Sequence, residues 1–332
     1  MAYTVSLNPS GKVFSIESES FILDTAIQAN IHLPHSCRNG SCGVCKSRLL
    51  KGAVEHLEGM CGISSEDRED GYILTCVAKP KSDLEIEANY YAELDGIKSG
   101  IFPCKVSSIE FPSDDIMILK LRFPPNINMR YLPGQYIDLM WKGMRRSYSI
   151  ADTVLEPGIE LHIKHVPDGR FSKYLFDELK PEILLRINGP HGTFFVRESH
   201  APVIFLAGGT GFAPVKAMVE QLLKNASTRQ IYIYWGARTI DAFYTNTAEL
   251  WQEEHDNITY IPVLSNDSEI WHGRQGFVHQ AVMQDINDLS AFEVYACGSS
   301  DMIMAAKNDF IMHGLIEKNF FADAFTPFKQ TK

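Results

Sequence analysis

The rhythm of apolar and polar positions changes twice along this chain and predicts three structural regimes. In the first, residues 3–7 and 13–16 alternate as half-buried strands around a turn at Pro9-Ser10-Gly11. Asp24 is expected to cap a short helix carrying Ala26, Ile27 and Ala29 on one face. Residues 45–50 read as a strand ending in a turn at Lys51-Gly52, residues 73–76 as a strand edge, and residues 84–88 as a closing strand. The second regime consists of short strands at 104–109, 116–123, 135–140, 147–150, 159–166 and 183–187. Turns at Pro112-Ser113, Pro124-Pro125, Pro133-Gly134, Pro157-Gly158, Asp168-Gly169 and Gly189-Pro190 separate them. Regular short strands of this kind predict a small antiparallel barrel. In the third, residues 203–207 form a continuous apolar run, as a strand buried on both faces requires. A glycine turn and a helix bearing Val215, Met218, Val219 and Leu222 follow, with further parallel-strand candidates at 231–235, 259–264 and 293–297. The predicted organisation is a small α+β domain over 1–92, a polar linker over 93–101, a barrel over 102–198 and a parallel α/β domain over 199–332.

Bulk properties restrict this picture without altering it. A chain of 332 residues exceeds one ordinary core, so several domains are expected. The net charge of −10, spread as −4 over 1–92, zero over 93–198 and −6 over 199–332, argues against nucleic acid as a partner. No apolar run approaches the roughly 20 residues of a membrane span. The first residues, Met1 to Thr4, lack the features of a signal peptide, and a cytoplasmic protein is expected.

The chemistry begins at Cys37, Cys42 and Cys45, whose C-x4-C-x2-C spacing is answered by Cys76. Four thiolates must converge on two irons, and one tight loop can supply only three. Gly40 and Gly43 let the loop curl so that backbone N–H groups face the sulfurs, and Arg38 is expected beside the negative cluster. Zinc is the bland alternative, although it usually takes two separated C-x2-C pairs and only Cys42/Cys45 is present. Of the other cysteines, Cys61 and Cys104 read as small buried residues.

In the third regime, Gly208-Gly209-Thr210-Gly211-Phe212-Ala213-Pro214 joins a strand to a helix, the arrangement that binds a dinucleotide pyrophosphate. Pro214 replaces the usual third glycine, at an N1-like helical position. Cys297-Gly298 ends a strand at its carboxyl edge, where open α/β sheets bind ligands.

Residues 1–92 resemble the β-grasp fold of plant-type [2Fe–2S] ferredoxins, with Cys37, Cys42, Cys45 and Cys76 as ligands. Arg146-Ser147-Tyr148-Ser149, Gly169-Arg170-Phe171-Ser172 and Gly189 to Phe194 together resemble the flavin domain of the ferredoxin–NADP reductase superfamily, and Gly208 to Pro214 its nicotinamide domain. The resemblance implies that Arg146 pairs with the flavin pyrophosphate, Tyr148 stacks on the isoalloxazine ring, and Ser149 bonds near N5. Gly169 and Ser172 would face phosphate. Gly208, Gly209, Thr210, Gly211 and Pro214 would hold the dinucleotide. Cys297 and Gly298 would lie beside the reacting rings, and Asp323-Ala324-Phe325 resembles the ending in which an aromatic, here Phe325, covers the flavin. Relatives usually carry Glu where this chain has Asp323.

The module order further implies FAD as the flavin. It implies a two-to-one electron splitter that takes hydride from nicotinamide and passes single electrons through the cluster. Asp267, past the third parallel strand, stands where NADP-specific relatives tend to place Arg, which favours NADH. Non-motif stretches at 89–94, 131–139 and 309–314 resemble reductases of 3,6-dideoxyhexose biosynthesis. In that family the acceptor is a pyridoxamine-phosphate-dependent dehydratase acting at C3 of CDP-4-keto-6-deoxyglucose. Reductase components of bacterial oxygenases are the alternative. A plain electron-transfer module and a free-standing NADH oxidase remain as readings of other classes.

Overall fold

A computed structural model describes residues 1–57, 59–153, 158–266 and 269–325. The chain separates into two compact units, Met1–Lys98 together with the segment from Asp323, and Ser99–Ala322. Among the described residues no helix is long and apolar enough to cross a membrane.

The first unit is a five-stranded sheet in the order Val13–Glu17, Ala2–Asn8, Leu84–Glu87, Lys46–Lys51, Tyr72–Leu74. Ala2–Asn8 and Leu84–Glu87 run parallel, and the remaining pairs are antiparallel. Alternation decides the buried face: Val5 and Leu7, Phe14 and Ile16, Leu84 and Ile86 all enter one core. The helix Ile22–Gln28 packs there through Ile22, Leu23 and Ala26. It therefore begins earlier than expected, with Phe21 rather than Asp24 at its cap, because the apolar pair Ile22-Leu23 is drawn into the core. Asp24 lies in the first turn, where its carboxylate suits the positive end of the helix. Within residues 93–101, Leu94 and Ile97 are buried, and the strand Gly100–Ser113 begins at the end of this stretch.

The second unit opens with a six-stranded antiparallel sheet, ordered Met144–Ser149, Tyr136–Trp141, Leu184–His191, Gly100–Ser113, Ile116–Arg122, Gly158–Lys164. An antiparallel bridge between Ile150 and Leu161 joins its two edges, so the sheet closes into a barrel. Two predicted turns are absorbed into strands: Pro112-Ser113 ends the long strand Gly100–Ser113, and Gly189-Pro190 lies within Leu184–His191. Pro157, in another predicted turn, is outside the described residues.

The other sheet has the order Arg274–Gln275, Ile258–Leu264, Ile231–Ala237, Val203–Gly208, Glu293–Ser299, Phe320–Phe325. The first five strands pair in parallel. Residues 203–207 are all buried, as the unbroken apolar run predicts. Ile116 and Phe194 from the barrel join the same core as Val203, Val215 and Trp235, so barrel and parallel sheet share apolar packing.

Candidate functional site

The four predicted cluster cysteines are brought together as two couples. Cys45 Sγ lies 3.2 Å from Cys76 Sγ, and Cys37 interacts with Cys42. All four are free thiols. Among the described residues no three His, Cys, Asp or Glu side chains gather around one point as a single ion requires. Two couples of two sulfurs instead match the donor set of a binuclear cluster, two thiolates per iron. The Cys42 side chain and the backbone N–H groups of Asn39, Cys42 and Ser41 draw the Cys37 thiol down to about 6. Within the other couple the Cys76 side chain likewise pulls Cys45 down. The N–H groups of Asn39, Ser41 and Cys42 are backbone donors of the kind a negatively charged cluster needs.

Close packing explains the loop glycines. A Cβ on Gly40 would stand 2.2 Å from Met60 Sδ, and one on Gly43 2.9 Å from the Gly62 carbonyl oxygen, both at positive φ. Arg38 also has positive φ, and its guanidinium pairs with Asp24 at 2.6 Å. The partner segment Met60–Gly62, missed in the sequence, seals the loop: Gly62 N–H donates to the Gly40 carbonyl. Cys61, within it, is a correction. It is exposed rather than buried, because its flanking residues face the cysteine loop, and its Sγ approaches the Ser41 carbonyl at 3.8 Å. Cys104 is buried as expected.

The structure ties Asp323 to this loop across 287 residues. Its carboxylate accepts the Ser36 hydroxyl at 2.6 Å, and Ser36 Oγ accepts the Ala324 N–H at 3.2 Å, one residue before Cys37. No local signal in the sequence carries such a contact. Phe325 ends the strand Phe320–Phe325 and is partly exposed.

In the barrel, Arg146 and Tyr148 lie two apart on Met144–Ser149 and so share one face. Ser149, on the other face, is buried opposite Tyr136. The Tyr148 ring lies near-parallel to Phe171 at 6.4 Å, which brings this strand beside the first turn of the helix Arg170–Glu178. Burial pushes the Tyr148 hydroxyl above its ordinary range, so the ring stays neutral. Gly169 caps that helix, whose first turn holds no acidic residue, as an anion-facing terminus should. The Ser172 hydroxyl is engaged inside the turn, accepting from Val166 N–H at 3.1 Å and donating to the Gly169 carbonyl at 2.9 Å. It braces the loop.

The glycine turn of the parallel sheet is equally specific. Gly209–Gly211 forms a single 3-10 turn leading into the helix Phe212–Lys224, again without an acid in the first turn. A Cβ on Gly211 would stand 2.2 Å from the Cys297 carbonyl oxygen, and one on Gly208 2.8 Å from Met302 Sδ. Gly298, at positive φ, abuts Gly208 across the adjacent parallel strand. Gly208, Gly211, Cys297 and Gly298 thus meet at one carboxyl edge. A Cβ on Gly209 would meet nothing within 4 Å, so the turn is open where a pyrophosphate would approach, and Thr210 is half-buried beside it. Pro214 is the third helical residue rather than the first, still within the turn whose N–H groups lack intrahelical partners. Cys297 is fully buried. Asp267 lies outside the described residues.

Three protein-family models match in the same order: "2Fe-2S iron-sulfur cluster binding domain" over residues 5–81, "Oxidoreductase FAD-binding domain" over 103–196 and "Oxidoreductase NAD-binding domain" over 205–308. The chain is 53% identical to the CDP-6-deoxy-L-threo-D-glycero-4-hexulose-3-dehydrase reductase of Yersinia pseudotuberculosis, over 99% of this chain and 100% of the relative. It is 33% identical to reductase component 1 of a Comamonas terephthalate 1,2-dioxygenase, over 98% of each. A crystal structure of an Amycolatopsis cytochrome P450 reductase matches with a TM-score of 0.79 at 27% identity, over 98% of this chain and 99% of that one.

Proposed function

As this chain belongs to the CDP-6-deoxy-L-threo-D-glycero-4-hexulose-3-dehydrase reductase family, within the ferredoxin–NADP reductase superfamily, we propose that it supplies electrons to a pyridoxamine-phosphate-dependent dehydratase. That partner removes the C3 hydroxyl of CDP-4-keto-6-deoxyglucose. The chain is an NADH-dependent oxidoreductase using FAD and a [2Fe–2S] cluster. When bound, FAD would supply the exchange between two-electron and one-electron chemistry, and the [2Fe–2S] cluster a one-electron relay. The balance is one NADH and one proton consumed per C3 hydroxyl released as water.

The residues divide this work. Cys37 and Cys42 would hold one iron, Cys45 and Cys76 the other. Arg146 and the Gly169 turn would bind the flavin pyrophosphate, with Ser172 fixing the turn. Tyr148 would support the ring, Ser149 would bond at its reacting edge, and Phe325 would cover it. Gly208, Gly209, Thr210, Gly211 and Pro214 would cradle the dinucleotide, and Cys297 and Gly298 would place the nicotinamide. Arg274, past the third parallel strand, is committed to Asp285, which leaves its charge matched without a 2′-phosphate. We retain the division into 1–92, 93–101, 102–198 and 199–332, and place the protein in the cytoplasm, where free thiols persist.

The observation that carries the choice of acceptor is the end-to-end identity of 53%, against 33% to the dioxygenase component. The test combines purified protein, NADH, such a dehydratase and CDP-4-keto-6-deoxyglucose without oxygen, followed by mass spectrometry. A 3,6-dideoxy product that requires both proteins is expected. No product alongside rapid cytochrome c reduction would move the acceptor to an oxygenase.

A further inference from the structure

Between the barrel and the parallel sheet lies a buried polar cluster that none of the roles above uses. Glu160 and His162 project from the barrel strand Gly158–Lys164, Lys216 and Glu220 from the helix Phe212–Lys224, and Tyr244 from the loop after Ile231–Ala237. His162 Nε2 lies 3.0 Å from Glu160 Oε1, and its Nδ1 lies 2.8 Å from the Tyr244 hydroxyl. A carboxylate only accepts, so Nε2 carries the proton and Nδ1 accepts from Tyr244 O–H. Burial holds this imidazole neutral against the pull of Glu160.

Lys216 connects the two halves. Its Nζ lies 3.2 Å from Glu160 Oε1, 2.7 Å from Glu220 Oε1 and 3.0 Å from the Ala151 carbonyl oxygen, two residues beyond Ser149. Lys120 approaches Glu160 from the barrel at 3.7 Å. The helix bearing Lys216 is the one that starts at the glycine turn. Tyr244 reaches that turn by a second route. Its ring stands edge-on to Trp235 at 5.2 Å, Trp235 stacks on Phe212 at 4.1 Å, and Trp235 Nε1–H donates to the Gly209 carbonyl at 2.9 Å. Both routes run from barrel residues near Ser149 to the two ends of the same turn.

We propose that Lys216, His162 and Tyr244, gathered on Glu160, are positioning residues for hydride transfer that hold the dinucleotide-binding turn in fixed register with the strand end carrying Ser149. Their arrangement suits the task. A water-filled or apolar seam would let the two halves slide, whereas a directional, charge-assisted network is satisfied in one geometry only. Reaction rate is steep in that geometry, because misplacement of reacting atoms by about 1 Å can cost on the order of 100-fold. The inference rests on the reductase reading above.

The test is anaerobic stopped-flow mixing of the holoenzyme with NADH, following flavin bleaching. Lys216→Met is expected to lower the limiting rate roughly 10- to 100-fold while the apparent NADH dissociation constant changes little, with flavin and cluster absorbance intact. Tyr244→Phe should lower the rate less. The kinetic isotope effect with NADH deuterated at C4 should become more temperature-dependent in Lys216→Met, which a loss of stability alone would not produce. If Lys216→Met does not fold, the double variant Glu160→Gln/Lys216→Met, which also removes the buried Glu160 charge that Lys216 offsets, carries the same expectation. A limiting rate and isotope effect matching wild type, or a defect confined to NADH affinity, would overturn the strut. Failure of the wild type to bleach its flavin with NADH would overturn the reductase reading itself.

Discussion

The cysteine loop and the Glu160–Lys216 seam are both partly buried assemblies of titratable groups, yet they are built in opposite ways. Three of the loop's four sulfurs come from nine consecutive residues, and glycines at Gly40 and Gly43 permit the contacts that close it. The seam draws on residues 151, 160, 162, 216, 220 and 244, linked in a chain in which Tyr244 bonds His162, His162 bonds Glu160, and Lys216 joins Glu160 to Glu220 and the Ala151 carbonyl. On the proposed ligand set the loop has no redundancy, because each of the four sulfurs would be needed to hold two irons. The seam has several, because Lys216 keeps Glu220 and Ala151 if Glu160 changes. Damage should therefore be all-or-none in one and graded in the other.

The strongest expected break is Cys45→Ser. Removing one ligand should abolish reduction of one-electron protein acceptors by more than about 100-fold, while NADH-to-flavin reduction survives. Visible absorbance and stopped-flow kinetics read the two separately. Loss of both would make the cluster a structural element of the whole chain and erase the contrast.

Gly43→Ala sharpens the loop side without touching a ligand. The new Cβ would meet the Gly62 carbonyl at 2.9 Å with φ at +73°, so clash adds to left-handed strain. Strain of about 1–3 kcal/mol should shorten cluster lifetime under chelator about tenfold or more. Gly11→Ala, at φ +68° with nothing within 4 Å of its Cβ, carries strain alone and is the control. Equal cluster loss in both variants would show that packing against Gly62 is irrelevant.

This contrast also explains what could be read in the chain. Period and spacing are local, so the alternation at 3–7 and 13–16, the C-x4-C-x2-C run and the apolar strand before Gly208 all announced their structures. The resemblance to known reductases then supplied roles for Arg146, Tyr148 and Ser149. Sequence and structure part where distant burial decides a local question. Asp24 lost its capping place to the apolar pair before it, and Cys61 turned outward because Met60 and Gly62 pack on the cysteine loop. The Ser36–Asp323 bond and the seam leave no trace in any window, since a lone Lys216 or His162 looks like any helix-surface or strand residue.

On the seam side, Glu160→Gln should cost about 1–3 kcal/mol of stability, less than a fully orphaned buried pair, because Lys216 keeps two partners. Burial alone would raise the Glu160 pKa, but the His162 hydrogen bond and the Lys216 charge outweigh it and bring it to about 2. A change in thermal midpoint with cluster lifetime untouched would support the independence of the two assemblies. Simultaneous loss of the cluster would deny it.

The smallest effect concerns Asp152, which borders the seam, accepting Tyr131 O–H at 2.7 Å and Glu160 N–H at 3.0 Å. Burial pushes its carboxyl up to about 7, above the ordinary 3.8. The native state therefore binds more protons than the unfolded chain between about pH 4 and 7, so this group's contribution falls as pH rises through that window and is fully lost above it. Glu160, with its carboxyl near 2, contributes a constant amount above about pH 5. His162, held neutral by burial, opposes Asp152 in the same window, but it is present in both proteins of the comparison. Asp152→Asn mimics the protonated acid, since its amide can donate to Tyr131 while its oxygen accepts from Glu160 N–H. Wild type should thus lose about 1–2 kcal/mol relative to Asp152→Asn between pH 5.5 and 7.5, measured by denaturant unfolding at each pH. A difference that is flat or rises with pH would mean Asp152 is ionised throughout and the seam is wetter than its packing implies.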